Sequence, residues 1–223
     1  MGTLSEISMS DVGKSELSNA FKEIKPECNL SKGEAVTLVK TKFETQDENS
    51  LSDMIHNYDE TDFDLHFEFD TTIEKNMELF NPEQWEKLDA SEKKEVITEM
   101  VELINDGLGI EGKTDVIFFE DFQDNCGWYN ERYRTIGVNE ATFSDSLEVL
   151  DTIAHEMKHA FQRFRADKAE TNMDKFYKYS FEHYISPIED VYGNFVNFFE
   201  YYDQFIEAEA RAFAKIFTGK VVL

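Results

Sequence analysis

The stretch Ile153–Ala154–His155–Glu156–Met157–Lys158–His159–Ala160 constrains this chain more than any other. Residues four apart on an α-helix lie one above the other, so His155 and His159 can offer two imidazole nitrogens to one metal ion. Glu156 is one step round the helix from His155. There its carboxylate stands beside the metal without ligating it and is placed to act as a general base. With 5 His and 29 Glu in 223 residues, an HExxH pattern arises by chance at roughly 1%. The flanking residues argue further against coincidence. Leu147, Leu150, Ala154, Met157, Phe161 and Phe164 follow the 3-4 spacing of a helix packed on a core. The two histidines fall at the edge of that stripe. Asp145, with Glu148 three residues on, reads as an N-cap and capping box. A helix over about 145–166 is expected.

A catalytic zinc takes three protein ligands and keeps one position open. A third histidine six residues after His159 would fall at position 165, which is Arg165, and the only histidine further on is His183. Better candidates lie near the C-terminus, in Phe205–Ile206–Glu207–Ala208–Glu209–Ala210–Arg211–Ala212–Phe213–Ala214. Glu209 falls nearer the middle of the bulky stripe of Phe205, Ile206, Phe213, Ile216 and Phe217. Glu207 lies on a flank with Ala210 and Ala214, where small side chains let two helices approach. On the residues alone the choice between Glu207 and Glu209 is close.

Charge and composition remove several classes. The net charge is −25, whereas nucleic acid and anionic membrane both require clustered Lys and Arg. A peptide or protein substrate is the expected partner, with no nucleic acid and no membrane. No run approaches 18 apolar residues. The N-terminus lacks a basic segment followed by an apolar one. The expected address is cytoplasmic, or exported without a cleavable signal. Cys28 and Cys126 form no CxxC pair and no disulfide framework, so two free thiols are expected.

Along the chain, residues 1–80 form a segment of uncertain role and 81–223 a second unit carrying the motif. A helical pattern runs from Asp11 to Ile24 with a stop at Pro26. Ala35–Phe43 leans towards strand. Residues 44–62 are acidic and read as a loop. Asp62–Asp70 alternates strictly and is a half-buried strand, with His66 on its polar face. Asn81–Pro82 starts one helix and Ser91 another, the latter ending at Gly107 and Gly109. Thr114–Phe119 reads as a buried strand, and 126–138 as a hairpin turning at Asn130–Glu131–Arg132. Helical stretches are expected from Pro187 to about Phe199 and from Asp203 to Phe217, closed by Gly219. The order gives an α+β fold: a small, mostly antiparallel twisted sheet with helices packed on it and a helical C-terminal part.

HEMKH, followed about 50 residues later by E-x-x-A-x-x-F-A, resembles the gluzincin zinc metallopeptidases. The segments GWYNERYRTIGVNE, LDTIAHEMKHAFQ and YYDQFIEAEARAFA look like the minimal gluzincin-type domains of bacterial and phage proteins, toxin and effector modules among them. The resemblance covers about residues 82–217. Many relatives carry Pro where this chain has Phe205. It implies a zincin-like fold and one catalytic Zn2+ held by His155, His159 and Glu207, with Glu156 as general base. Family members use a Tyr or His downstream of the motif to stabilise the oxyanion. His183 and Tyr202 rank first here, with tyrosines 177, 179, 184, 192 and 201 also eligible. Asp151 or Glu209 is placed to orient a ligand histidine. In similar enzymes the strand before the motif helix pairs with extended substrate, which makes Gly127, Trp128 and Tyr129 substrate-binding candidates.

The expected activity is hydrolysis of peptide bonds by a narrow-specificity endopeptidase, compatible with an effector or toxin role. The alternative is a non-catalytic, metal-binding regulatory or interaction module. The intact Glu156 argues against it, because a purely structural site has no use for that carboxylate.

Overall fold

Period-two alternation puts Phe63 and Phe67 on one face of β2 (Phe63–Phe67), both buried, with Asp64 and His66 exposed on the other. A computed structural model describes residues 34–38, 55–121, 125–192 and 194–221. The helical pattern over 11–24, its stop at Pro26, Cys28 and most of the acidic stretch 44–62 lie outside the described residues. The leaning of 35–43 towards strand is met over its first part. β1 (Glu34–Leu38) pairs antiparallel with β2, Val36 opposite Leu65.

Three helices follow, each started by a side-chain cap. Asp70 accepts from the N–H groups of Thr72 and Ile73 at the head of α1 (Thr71–Glu78). Asn81 caps α2 (Pro82–Trp85), with proline in its first turn. The third helix, α3 (Ala90–Gly107), begins just before the expected Ser91. Its cap is Asp89, which closes a box with Glu92. It stops as Gly109 enters the left-handed region at φ 65°, a conformation that costs glycine little.

Strands β3 (Asp115–Phe119), β4 (Gly127–Asn130) and β5 (Thr135–Asn139) form a mixed sheet in the order β3-β5-β4. β4 and β5 are the antiparallel hairpin read from the sequence, but β3 and β5 run parallel. The expectation of a mostly antiparallel sheet is corrected accordingly: β5 sits between the two strands that precede it. β3 was expected to be buried and is instead an edge strand, with Ile117 exposed. The central β5 carries the fully buried Ile136 and Val138.

Asp145 caps α4 (Ser146–Lys168), accepting from the N–H groups of Leu147 and Glu148. The Glu148 half of the expected box does not close. Its carboxylate instead accepts from the Cys126 thiol at 3.1 Å. After α5 (Asn172–Glu182) the helix expected from Pro187 is not formed. Residues 188–197 turn on Asp190, which accepts from the N–H groups of Tyr192 and Asn194, and on a bridge between Glu189 and Phe195. A short helix, α6 (Phe198–Tyr202), leads into α7 (Phe205–Val221), which continues through Gly219 instead of ending there.

The core lies between α4 and α7. Leu150, Ile153, Ala154, Met157 and Phe161 of α4 meet Phe205, Ala208, Phe213, Ala214 and Phe217 of α7 in one buried cluster. Residues 55–80 belong to the same cluster. Tyr58 and Phe63 meet Phe205 edge-on at 5.2 and 5.3 Å between ring centroids, and Phe67 meets Phe213 at 5.6 Å. Glu60 adds ion pairs to Arg211 and Lys215 of α7. Among the described residues no helix is long and apolar enough to cross a membrane. Removing the Phe213 ring empties the centre of this packing. Phe213→Ala is expected to lose about 3–5 kcal/mol of stability in urea unfolding, and a loss below ~1 kcal/mol would show that α7 is not held as described.

Candidate functional site

Helical spacing brings His155 and His159 to one edge of α4, and the first turns of α7 bring Glu207 opposite them. His155 Nε2 and His159 Nε2 are 3.0 Å apart. Glu207 Oε2 lies 3.4 Å from the first and Glu207 Oε1 3.5 Å from the second. These atoms form a compact triangle of two nitrogens and a carboxylate. A tetrahedral zinc with ligand distances near 2.0–2.1 Å separates its ligand atoms by about 3.3–3.4 Å. The triangle is therefore of the right size and donor chemistry to hold such an ion, with one face left open.

The open face looks into a cleft of about 510 Å³. Glu156, Tyr184 and Tyr201 border it beside the triangle, and Gly127–Arg132 of β4 and its turn form the far wall. Close approach explains Gly127. A Cβ there would lie 2.4 Å from Thr152 Cγ2 of α4 and 2.7 Å from the Gly137 carbonyl. Any larger residue would push the strand off the helix that carries Glu156. Gly137 plays the same part for Trp128, whose ring lies over it across the β4–β5 pair.

Both oxygens of Glu207 accept hydrogen bonds, from Tyr184 Oη at 2.8 Å and from Tyr201 Oη at 3.2 Å. Burial raises both phenol pKa values, and the Glu207 charge raises them further. The two hydroxyls thus remain protonated donors at neutral pH. Glu207 is 2% exposed. Burial pushes its carboxyl pKa up, but the charges and hydrogen bonds of His159 and His155 pull it well below the usual range. For His159 burial works downward, while Glu207, and with it Glu156, works upward and wins. Its imidazolium is held to about 9 in the metal-free protein.

A buried polar chain backs the triangle. Gln162 Nε2 donates to the Ile206 carbonyl at 3.0 Å and to Glu209 Oε2 at 2.8 Å. Two acceptors on that side identify it as the amide nitrogen, so Gln162 Oε1 faces His159 Nδ1 at 2.9 Å. It accepts the Nδ1 hydrogen and leaves Nε2 pointing at the centre of the triangle. Glu209 Oε1 takes the Tyr177 hydroxyl at 2.9 Å and lies 3.5 Å from Lys158 Nζ. Lys158 and Glu209 are both 0% exposed. A buried ion pair survives only when further hydrogen bonds satisfy it; Glu209 has them from Tyr177 and Gln162.

The structure thus brings Glu207 to the histidines and places Glu209 behind them, acting on His159 through Gln162. Asp151 lies near enough to His155 for their charges to interact, while burial raises its own pKa. Gly127, Trp128 and Tyr129 all line the cleft. His183 and Tyr202 do not. The His183 ring stacks on Tyr179 at 4.0 Å, with Nδ1 on the Tyr179 carbonyl at 2.8 Å. Tyr202 lies under the Arg211 guanidinium, 3.4 Å from its ring centroid. Tyr184 and Tyr201, eligible but not ranked first from the sequence, line the cleft instead. Gln162 went unread in the sequence. Its one signal was its place three residues after His159, one turn on along the same helix.

No protein-family profile, curated protein or solved structure matches this chain.

Two measurements test the triangle. Elemental analysis of the purified protein is expected to give about one zinc per chain, absent from His155→Ala and Glu207→Ala and retained by Glu209→Gln at reduced affinity. Loss of zinc from Glu209→Gln with retention in Glu207→Ala would reassign the third ligand. The second measurement is of pH. The folded-state pKa of His159 is raised from 6.5 to about 9. Its ion pair with Glu207 therefore stabilises the metal-free protein fully below pH 6.5, and that contribution is lost as pH rises through about 9. Metal must displace this proton, so zinc affinity is expected to climb up to tenfold per pH unit and level off above about 9. A flat profile from pH 6.5 to 9 would show that His159 is not held protonated across that range.

Proposed function

We propose that this protein is a zinc-dependent peptidase with a zincin-like architecture, its metal held by His155, His159 and Glu207. The observation that carries the reading is a three-donor triangle opening onto a cleft that Glu156 also lines. Zinc bound there would supply Lewis acidity towards a peptide carbonyl and acidify the attacking water. Glu156 takes the proton of that water and passes it to the leaving amine. Its position supports this role: it lies in the cleft wall, and its charge is felt by both His159 and Tyr201.

The oxyanion that develops on the carbonyl needs hydrogen-bond donors already in place. Tyr184 and Tyr201 are the hydroxyls bordering the cleft. Each has one O–H, given to Glu207 here, and would take the role that His183 and Tyr202 were expected to fill by turning that hydrogen from Glu207 to the oxyanion. Gln162 and Glu209 hold the His159 ring in the tautomer that presents Nε2. β4 is an edge strand along the cleft, so its outer backbone groups can pair with an extended chain and draw a scissile bond past Glu156. A non-catalytic metal module would not need an open cleft, an edge strand or Glu156.

The decisive variant is Glu156→Gln. It is expected to keep one zinc and to lose peptide cleavage by at least about 100-fold, measured on a mixed peptide library by mass spectrometry. Wild-type cleavage rates in that variant would end the proposal. Tyr201→Phe and Tyr184→Phe should each lower kcat by up to about 100-fold with KM little changed if they donate to the oxyanion.

A further inference from the structure

The cleft wall carries more charge than the triangle requires. Besides Glu156 and Glu207 it is lined by Arg132, Arg163 and Glu131, and Arg163 pairs with Glu131 of the β4–β5 turn. The chain carries 47 acidic residues against 22 Lys and Arg, and only five of the latter are arginines: 132, 134, 163, 165 and 211. Three of them serve the scaffold. Arg134 donates to the Glu111 carbonyl, Arg165 pairs with Asp174, and Arg211 pairs with Glu60. The remaining two both line the cleft.

Arg163 is built to receive a carboxylate. It stands four residues after His159, on the same face of α4 one turn further along. Its guanidinium carbon lies over the Phe181 ring, 3.8 Å from the centroid. A cation–π contact of this kind holds the group in place without using its N–H donors. Among the described residues its one acceptor is Glu131 in the β4–β5 turn, bonded through a single nitrogen. A guanidinium has five N–H donors, so most of the fork remains for a ligand. Arg132, on the same turn, stacks on Tyr133 and has no acceptor among the described residues.

We infer that Arg163, with Arg132, forms a subsite for a carboxylate of the bound peptide, so that this cleft selects chains acidic one or two residues from the scissile bond. The spacing sets the position. Four helical residues advance about 6 Å, and an extended peptide advances about 3.4 Å per residue. Glu131 fills part of the fork in the free protein and is displaced, or shared, when the substrate carboxylate arrives. The inference rests on the peptidase reading for the scissile bond, but the subsite itself is a matter of binding.

The test uses one set of peptides in which Asp, Glu, Asn, Gln or Lys is varied at each position, each made with a free and an amidated C-terminus. Cleavage is measured with the zinc-loaded wild type, and binding with the zinc-loaded Glu156→Gln protein. Asp or Glu is expected to be favoured at least about tenfold over its amide at one position, a difference of ~1.4 kcal/mol. Preference confined to free C-termini would assign the same subsite to the terminal carboxylate. Arg163→Glu, its zinc content and melting temperature checked alongside, should turn the preference towards Lys, which a merely structural arginine would not do. Glu131→Gln should sharpen the acidic preference. Cleavage without acidic preference, or an unchanged profile in Arg163→Glu, overturns the subsite and leaves the peptidase reading standing. Acid-dependent binding without cleavage by the wild type does the reverse. Peptides neither bound nor cleaved would overturn both.

Discussion

Everything at the site depends on the contact between α4 and α7. Small residues, Ala154 and Ala160 on one and Ala208 and Ala214 on the other, are buried in the same core cluster as the aromatic rings of both helices. At the centre of the contact Gln162 of α4 reaches both the Ile206 carbonyl and the Glu209 carboxylate of α7. That bridge fixes the second helix relative to the first. With the bridge made, Glu207 faces His155 and His159. A change of one residue in register along α7 would turn a different side chain towards them, because successive helical residues point about 100° apart.

Charges are arranged in layers about that contact. Lys158 and Glu209 are sealed behind the histidines, where the low dielectric makes an incompletely bonded charge expensive. In front of them Glu207 is held anionic by the imidazoles and bonded by two tyrosine hydroxyls. The same cleft is also lined by Arg132 and Arg163. A chain of net charge −25 would be expected to repel an acidic ligand at long range. Salt screens that repulsion over roughly 10 Å, so the net charge does not by itself exclude the acidic peptide inferred above.

The motif helix was legible in detail because three independent signals coincide on it: the Asp145 cap, the 3-4 apolar stripe and the paired histidines. The alternation over Asp62–Asp70 marked a strand that forms over Phe63–Phe67, and the apolar runs flanking Asn130–Glu131–Arg132 marked the hairpin of β4 and β5. Legibility failed where long-range pairing decides. The sequence of β3 is as apolar as that of a central strand, yet β5 takes the middle of the sheet and leaves Ile117 exposed. A helical stretch was expected from Pro187, but Asp190 offered the backbone a local turn instead. No periodicity distinguishes Tyr201 from Tyr202.

By itself the sequence determined the α+β class, the helix carrying His155, Glu156 and His159, and the short list of carboxylates able to join them. These are local properties, set by side-chain spacing on a single element. Only the tertiary structure placed Glu207 and not Glu209 beside the histidines, Tyr184 and Tyr201 and not His183 and Tyr202 along the cleft, and Gln162 against His159. Each of those depends on how α7 and the chain after α5 dock on α4. Docking depends on apolar burial and on polar partners such as Gln162 and Glu209 that lie 47 residues apart in sequence, a condition that no single segment contains.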